Sequence, residues 1–241
     1  MAKFSFDSEG LVVDWVSFNL EGLVDSKVIA NRLSKYFIPH VLVNGVPEIG
    51  FHGLQKKYKV SIHQSTGAKG YWIGTKIIFS GENANYFYKL LKTGVFDWSI
   101  LKFEERTLSL GRIDLCFSRP SDQSHTSKSF DAFLLDCRSQ IKCRTSTKHI
   151  KLQDFPNGKM LKVNRRNNSR HYRIYQKDET VRFELELKHR QTKLVQNYLF
   201  TNQLDVFEYE LVLQYFKYSE RLLRSEYLKY WRTNSYSKMS S

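Results

Sequence analysis

Tyr172-Arg173-Ile174-Tyr175-Gln176-Lys177-Asp178-Glu179-Thr180-Val181-Arg182-Phe183-Glu184-Leu185-Glu186 reads as two strands joined by a short polar turn. Side chains of a strand alternate between faces, and Ile174, Phe183, Leu185 and Leu187 make one apolar set. The other set is polar. If the connection is a tight hairpin centred on Asp178 and Glu179, Tyr175 lies opposite Arg182 and Arg173 opposite Glu184. Tyr175, Arg173, Lys177, Arg182, Glu184 and Glu186 then share one surface, while Tyr172 has the opposite parity and falls on the Ile174 side. An amphipathic hairpin at a sheet edge has the same pattern, its exposed ion pairs worth about 0 to 1 kcal/mol each.

Leu110-Gly111-Arg112-Ile113-Asp114-Leu115-Cys116-Phe117 alternates in the same way. Ile113, Leu115 and Phe117 form its apolar side, Arg112 and Asp114 the other. Asp114 joins Glu184 and Glu186 if the two strands are neighbours. Outward from these segments the chain reads as a strand at 11–20, a helix at 25–36 capped by Asp25 or Ser26, and a loop carrying Pro39, Gly45 and Pro47. Strands at 57–63 and 71–79 and a helix at 82–91 follow. A strand at 107–117, a helix at 129–140 and strands at 148–154, 159–164, 170–177 and 181–188 complete the series, with Pro156-Asn157-Gly158 and Asn167-Asn168 as turns. Two successive strand-helix-strand-strand units predict an α+β fold, antiparallel sheets with flanking helices, and an internal duplication dividing near 95–107. The domain so defined covers 1–190. Beyond it, Leu204, Phe207, Leu211, Tyr215, Tyr218 and Leu222 recur at helical spacing, so 191–241 is expected to be a C-terminal helical extension ending in a disordered tail. Its stripe suits docking on the sheet, with a homodimer contact or a DNA-contacting helix as alternatives.

The chain has 241 residues, with 38 Lys+Arg against 24 Asp+Glu, a net charge of +14. That excess points to a polyanionic partner. It is concentrated between Lys148 and Lys177, where Lys159, Lys162, Arg165, Arg166 and Arg170 stand among nine basic residues and a single acid, Asp154. Tyr172 and other aromatics interleave with them. Cations track phosphates and aromatic rings stack on unpaired bases, so these residues are the expected nucleic-acid interface. No apolar run approaches the ~20 residues that span a bilayer, and residues 1–8 lack the regions of a secretory signal; a soluble, intracellular protein without a membrane partner is expected. Cys116, Cys137 and Cys143 match no zinc spacing, the seven histidines are scattered, and Gly67 to Gly70 is no phosphate-binding loop.

Arg112-Ile113-Asp114, then Tyr172 to Lys177, then Arg182 to Leu187, in this order, resemble the replication initiation factor (Rep_trans) family of rolling-circle plasmids and related phages. Val13-Asp14-Trp15-Val16-Ser17-Phe18 resembles that family's opening strand, and Lys76-Ile77-Ile78-Phe79-Ser80-Gly81 its apolar strand ending in Ser-Gly before a helix. The resemblance spans about Asp14 to Leu187. It implies an initiator that binds a single-stranded or supercoiled origin, nicks one DNA strand through a tyrosine, keeps the 5′ phosphate and leaves a 3′ hydroxyl for a polymerase, with a helicase as a further partner. Carried over, the nucleophile is Tyr175, with Tyr172 second, and the metal ligands are Asp114, Glu184 and Glu186.

The chemistry of the groups agrees with that expectation. A free phenol titrates near 10, so attack on phosphorus needs a base, a cation or a metal. Carboxylates suit Mg²⁺ or Mn²⁺, and Arg173, Lys177 and Arg182 are placed either to neutralise a phosphate or to pair with the glutamates. A catalytically silent DNA-binding regulator and a basic RNA-associated structural protein are the competing readings.

Overall fold

The computed structural model describes residues 11–41, 49–52, 60–66, 73–120, 134–135, 138–139, 149–155, 158–177 and 180–207. Strand β1 (Leu11–Glu21) turns Val16, Phe18 and Leu20 into the core. Phe18 is the hub of an aromatic cluster, its ring centroid 5.7 Å from those of Phe87 and Trp98 and 6.3 Å from those of Phe79 and Phe200. Offset and edge-on ring pairs at these distances add about 0.5–1.5 kcal/mol each beyond the area they bury.

Helix α1 (Ser26–Leu33) follows, with the Asp25 carboxylate accepting from the Lys27 N–H as its cap. The proline- and glycine-containing stretch expected as loop instead carries two short strands, β2 (Ile38–Val41) and β3 (Ile49–His52), paired antiparallel. β2 is an edge strand. A proline costs little there because no neighbour on that side needs its missing N–H. Strands β4 (Val60–Thr66) and β5 (Ile73–Ser80) pair antiparallel and lead into helix α2 (Glu82–Lys92) and a 3₁₀ turn (Trp98–Leu101).

The second series is β6 (Leu108–Pro120), β7 (Ile150–Phe155), β8 (Gly158–Val163), β9 (Arg170–Lys177), β10 (Thr180–Lys188), helix α3 (Arg190–Phe200) and a short turn of helix at Leu204–Val206. The helix expected at 129–140 lies largely outside the described residues, as do 208–241 with most of the expected C-terminal stripe.

The two series repeat one another in topology and in detail. Strands of the first series lie in the order β2-β3-β4-β5-β1 and those of the second in the order β7-β8-β9-β10-β6. Gly81 and His189 link β5 to α2 and β10 to α3, with nearly the same backbone angles (φ 55, ψ −129 and φ 52, ψ −127). Both helices run for 11 residues. They end alike, with the hydroxyls of Thr93 and Thr201 donating to the carbonyls of Lys89 and Asn197, followed by Gly94 and Asn202 at positive φ. Each pair is 108 positions apart. The repeat is therefore longer than strand-helix-strand-strand: it is one strand, a helix position, four strands and a closing helix.

The fold is α+β, an antiparallel sheet with flanking helices. The chain divides into two compact units, Met1–Cys116 with Glu186–Leu204, and Phe117–Leu185 with Asp205–Ser241. β6 and β10 each lend residues to both. α3 belongs to the first unit, its Val195 and Leu199 buried, whereas the sequence reading assigned 191–241 to an extension. Among the described residues no helix is long and apolar enough to cross a membrane.

Candidate active site and nucleic-acid interface

In the second unit β8 fixes the faces of β9. Lys162 stands opposite Arg173 and Met160 opposite Tyr175, while Val163 stands opposite Tyr172 and Leu161 opposite Ile174. Tyr175 and Arg173 therefore share one face, and Tyr172 lies on the other, buried beside the apolar set. The parity expected from the sequence holds, and Tyr172, expected to stack on bases, lies on the face of Leu161 and Val163.

The Tyr175 hydroxyl donates to Oε1 of Glu184. The same carboxylate is held by Arg173, whose Nε lies 2.6 Å from Oε2, and by Arg182, whose Nε lies 3.5 Å from Oε1. Tyr175 is 7% exposed and Glu184 4%, so these contacts are made out of water, where a hydrogen bond to a charged acceptor is strongest. Four of the residues expected to act together, Tyr175, Arg173, Arg182 and Glu184, thus meet in one network. Lys177 ends β9, and its side chain lies outside the described residues.

The interface expected from the basic run is sorted by the register. Lys151 pairs with Lys162 and Lys162 with Arg173, so three cations cross β7, β8 and β9 in one row on the face of Tyr175. The Lys162 ammonium also donates to Gln153 at 2.7 Å. Lys151 was not among the residues singled out, although it belongs to the same basic run. Lys159 and Arg170 have the other parity. Arg165 and Arg166 are exposed in the β8–β9 connection, where Asn164 takes a positive φ of 70 and Arg165 Nε donates to His149 Nδ1 at 3.3 Å.

The remaining carboxylates are in the first unit. Both oxygens of Asp114 accept from Arg112, at 2.7 and 2.5 Å. Arg112 also lies 3.4 Å from Glu186, and Lys188 closes on the other Glu186 oxygen. Glu186 is fully buried and Asp114 nearly so. The arrangement brings Asp114 and Glu186 together through a guanidinium. Among the described residues no group of three His, Cys, Asp or Glu stands where it could hold a metal ion. As arranged, the donor set does not fit a ready-made Mg²⁺ or Mn²⁺ site, because the carboxylates are engaged by cations that a metal would have to displace.

No protein-family model matches the chain, and no curated protein matches it in sequence. Solved structures do match at low similarity. One is a rolling circle replication initiator protein from Geobacillus stearothermophilus, 15% identical, with a TM-score of 0.46, over 79% of this chain and 78% of that one. Another is the regulatory subunit of aspartate kinase from Thermus thermophilus, 9% identical, with a TM-score of 0.21, over 80% of this chain and 97% of that one.

Proposed function

We propose that the protein is a replication initiator that nicks and rejoins one DNA strand through Tyr175. The observation that carries this reading is the Tyr175–Glu184 hydrogen bond, braced by two arginines. Glu184 takes the phenol proton as the tyrosine oxygen bonds to phosphorus. The bond from phosphorus to the 3′ oxygen breaks, leaving a 3′ hydroxyl once that oxygen is protonated by solvent and a 5′ phosphate on Tyr175. Rejoining is the reverse. Phosphoryl transfer asks the protein mainly for position and charge, and Arg173 and Arg182 supply positive charge beside the tyrosine oxygen. The row Lys151, Lys162, Arg173 supports a strand path toward it, since phosphate contacts dominate affinity for nucleic acid. A divalent ion enters no step of this scheme.

A second reading is supported by the burial of Tyr175 and the full pairing of Glu184. In it the network only fastens β9 to β10, and the chain binds DNA without cutting it. Wild-type protein incubated with labelled single-stranded origin DNA, with and without Mg²⁺ or Mn²⁺, separates the two. A covalent adduct mapped to Tyr175 supports nicking; no adduct on the authentic origin leaves the binding protein.

A further inference from the structure

The connection between β8 and β9 carries Arg165-Arg166-Asn167-Asn168-Ser169, of which the first four are exposed. Hydrogen bonds fix its base. The Asn164 N–H donates to the His149 carbonyl at 2.9 Å and its side-chain amide to the Arg170 carbonyl at 3.3 Å, while the Asn164 carbonyl lies 3.0 Å from His171 Nδ1. Arg165 Nε donates to His149 Nδ1, and the Asn168 N–H closes the turn by donating to the Arg165 carbonyl at 2.9 Å. A tip braced in this way loses little conformational freedom on meeting a partner, which is the cost that most weakens binding by loops.

Asparagine serves turns for two reasons: it tolerates the left-handed backbone region, and its side chain bonds to nearby backbone. Asn164 does both, at φ 70 with its amide on the Arg170 carbonyl. Asn167 and Asn168 do neither. Among the described residues the non-glycine positions at positive φ are Glu104, Asn164, His189 and Asn202, and the side-chain amides of Asn167 and Asn168 make no hydrogen bond there. Two adjacent exposed amides on a braced tip are thus left without a part in the fold. The charge around them is uniform. In the sequence no acid lies between Asp154 and Asp178, and Asp154 stands opposite Lys159, at the other end of β8 from the turn.

An asparagine amide matches the N6 donor and N7 acceptor of adenine in the major groove of DNA, a groove wide enough to admit a two-stranded β-ribbon. Guanidiniums beside it suit the backbone phosphates. An unpaired strand is held instead on aromatic rings, and residues 164–170 contain none. Duplex RNA hides the same base edges in a deep, narrow groove. We propose that the β8–β9 turn reads the sequence of duplex DNA, with Asn167 and Asn168 on adenine edges in the major groove and Arg165 and Arg166 on the flanking phosphates. That the duplex is an origin rests on the function proposed above; the readout itself does not depend on Tyr175 being a nucleophile.

The test uses the full chain and a library of DNA duplexes with a randomised segment, from which the bound duplexes are sequenced. Wild type is expected to select a motif containing adenines. Asn167→Ala with Asn168→Ala should discriminate at those adenines at least about tenfold less and keep the log–log salt slope of duplex binding, since no charge is removed. Arg165→Ala with Arg166→Ala should do the reverse, flattening the slope by about one to two units and keeping the motif. Selection of no motif by wild type overturns the readout, and so does undiminished discrimination by the asparagine variant. Should that variant fail to fold, wild-type binding to the selected duplex with 7-deaza-adenine in place of those adenines decides, because the analogue pairs normally and lacks the N7 acceptor: affinity must fall about tenfold, and equal affinity overturns the proposal. Binding of the selected sequence as tightly when it is a single strand or duplex RNA overturns duplex DNA as the partner. Wild type that selects a motif yet forms no adduct on it would sink strand nicking and leave the reader standing.

Discussion

Replacing Tyr175 by phenylalanine removes one oxygen and leaves the ring, so its effects on folding and chemistry separate cleanly. The lost hydrogen bond ran to a buried carboxylate, and bonds to charged groups contribute about 1.5–3 kcal/mol net. Glu184 would keep Arg173 and Arg182, so no charge is stranded and the cost should sit at the low end, about 1.5 kcal/mol. At about 2–4 °C per kcal/mol for a chain of this size, the melting temperature should fall by about 3–6 °C. Glu184→Gln is the contrasting variant. It takes away the carboxylate that two largely buried guanidiniums share, their side chains 22% and 8% exposed, and breaking such a pairing costs about 3–5 kcal/mol.

Because the charge-assisted hydrogen bond exists only when both the phenol and the carboxylate are present, and glutamine offers the phenol only a neutral acceptor, the double variant should lose about 1–2 kcal/mol less than the sum of the singles. Thermal melts by circular dichroism give the cycle, and gel electrophoresis after incubation with labelled origin strand gives the adduct. Tyr175→Phe should abolish the adduct while staying folded. An adduct that survives in Tyr175→Phe refutes the nucleophile. A coupling energy within about 0.5 kcal/mol of zero refutes the shared hydrogen bond on which the mechanism stands.

The other expectations address the interface, the metal and the backbone. Arg165→Ala with Arg166→Ala should flatten the log–log salt slope of DNA binding by about one to two units if each arginine meets a phosphate; an unchanged slope in an anisotropy titration returns them to the solvated surface. Arg112→Met takes the guanidinium away from Asp114 and Glu186, with Lys188 still on Glu186, so it should tighten Mn²⁺ binding at least about tenfold by electron paramagnetic resonance, and equal affinity in both proteins would show that Arg112 does not block those carboxylates. His189 holds the backbone angles of the first central residue of a type II′ turn, which glycine adopts readily. His189→Gly should therefore raise stability by about 1 kcal/mol and Gly81→Ala lower it by about 1–3 kcal/mol in urea melts, and the opposite signs would mean the strand-to-helix junctions are unstrained. Lys76, whose pKa is lowered by burial, Arg112 and Lys188, with His63, Asp114 and Glu186 as the other titratable groups on its face, destabilises the fold while charged. Its cost is full below the folded pKa and fades as pH rises through it toward the ordinary lysine value of about 10.4. Lys76→Met should accordingly melt higher than wild type at neutral pH, by a margin that narrows in alkali; a constant margin would contradict the shift.

The face of Tyr175 was legible in the sequence because a period of two and a two-residue gap leave few registers open, and β9 and β10 run where the alternation placed them. The carboxylates were legible as a set, yet the partners that engage them were not. Arg112 has the same spacing from Asp114 whether it chelates it or points to solvent, and only the packed strand decides. β2 and β3 were hidden because Pro39, Gly45 and Pro47 read as loop wherever the proline is not known to lie on an edge. Helix α3 was expected only as the start of a helical extension and not as a helix of the first unit, for a related reason: it buries only one stripe, with Gln191, Thr192, Val195 and Leu199 inside, and half of that stripe is polar. His189 at φ 52 carries no sequence signal at all, since the residue is neither glycine nor asparagine.

The repeated strand order places two differently charged faces on one kind of scaffold. With the repeats offset by 108 positions, Lys76 corresponds to Glu184 and Ile78 to Glu186, each just before the junction that turns a strand into an 11-residue helix. The same backbone thus presents a carboxylate beside a tyrosine in one half and a lysine among like charges in the other. Folding alone gives no reason to keep a half-buried lysine among like charges, because an aliphatic side chain like its neighbour Ile78 would seat there at lower cost. Stability sacrificed at a defined position is what a functional site looks like.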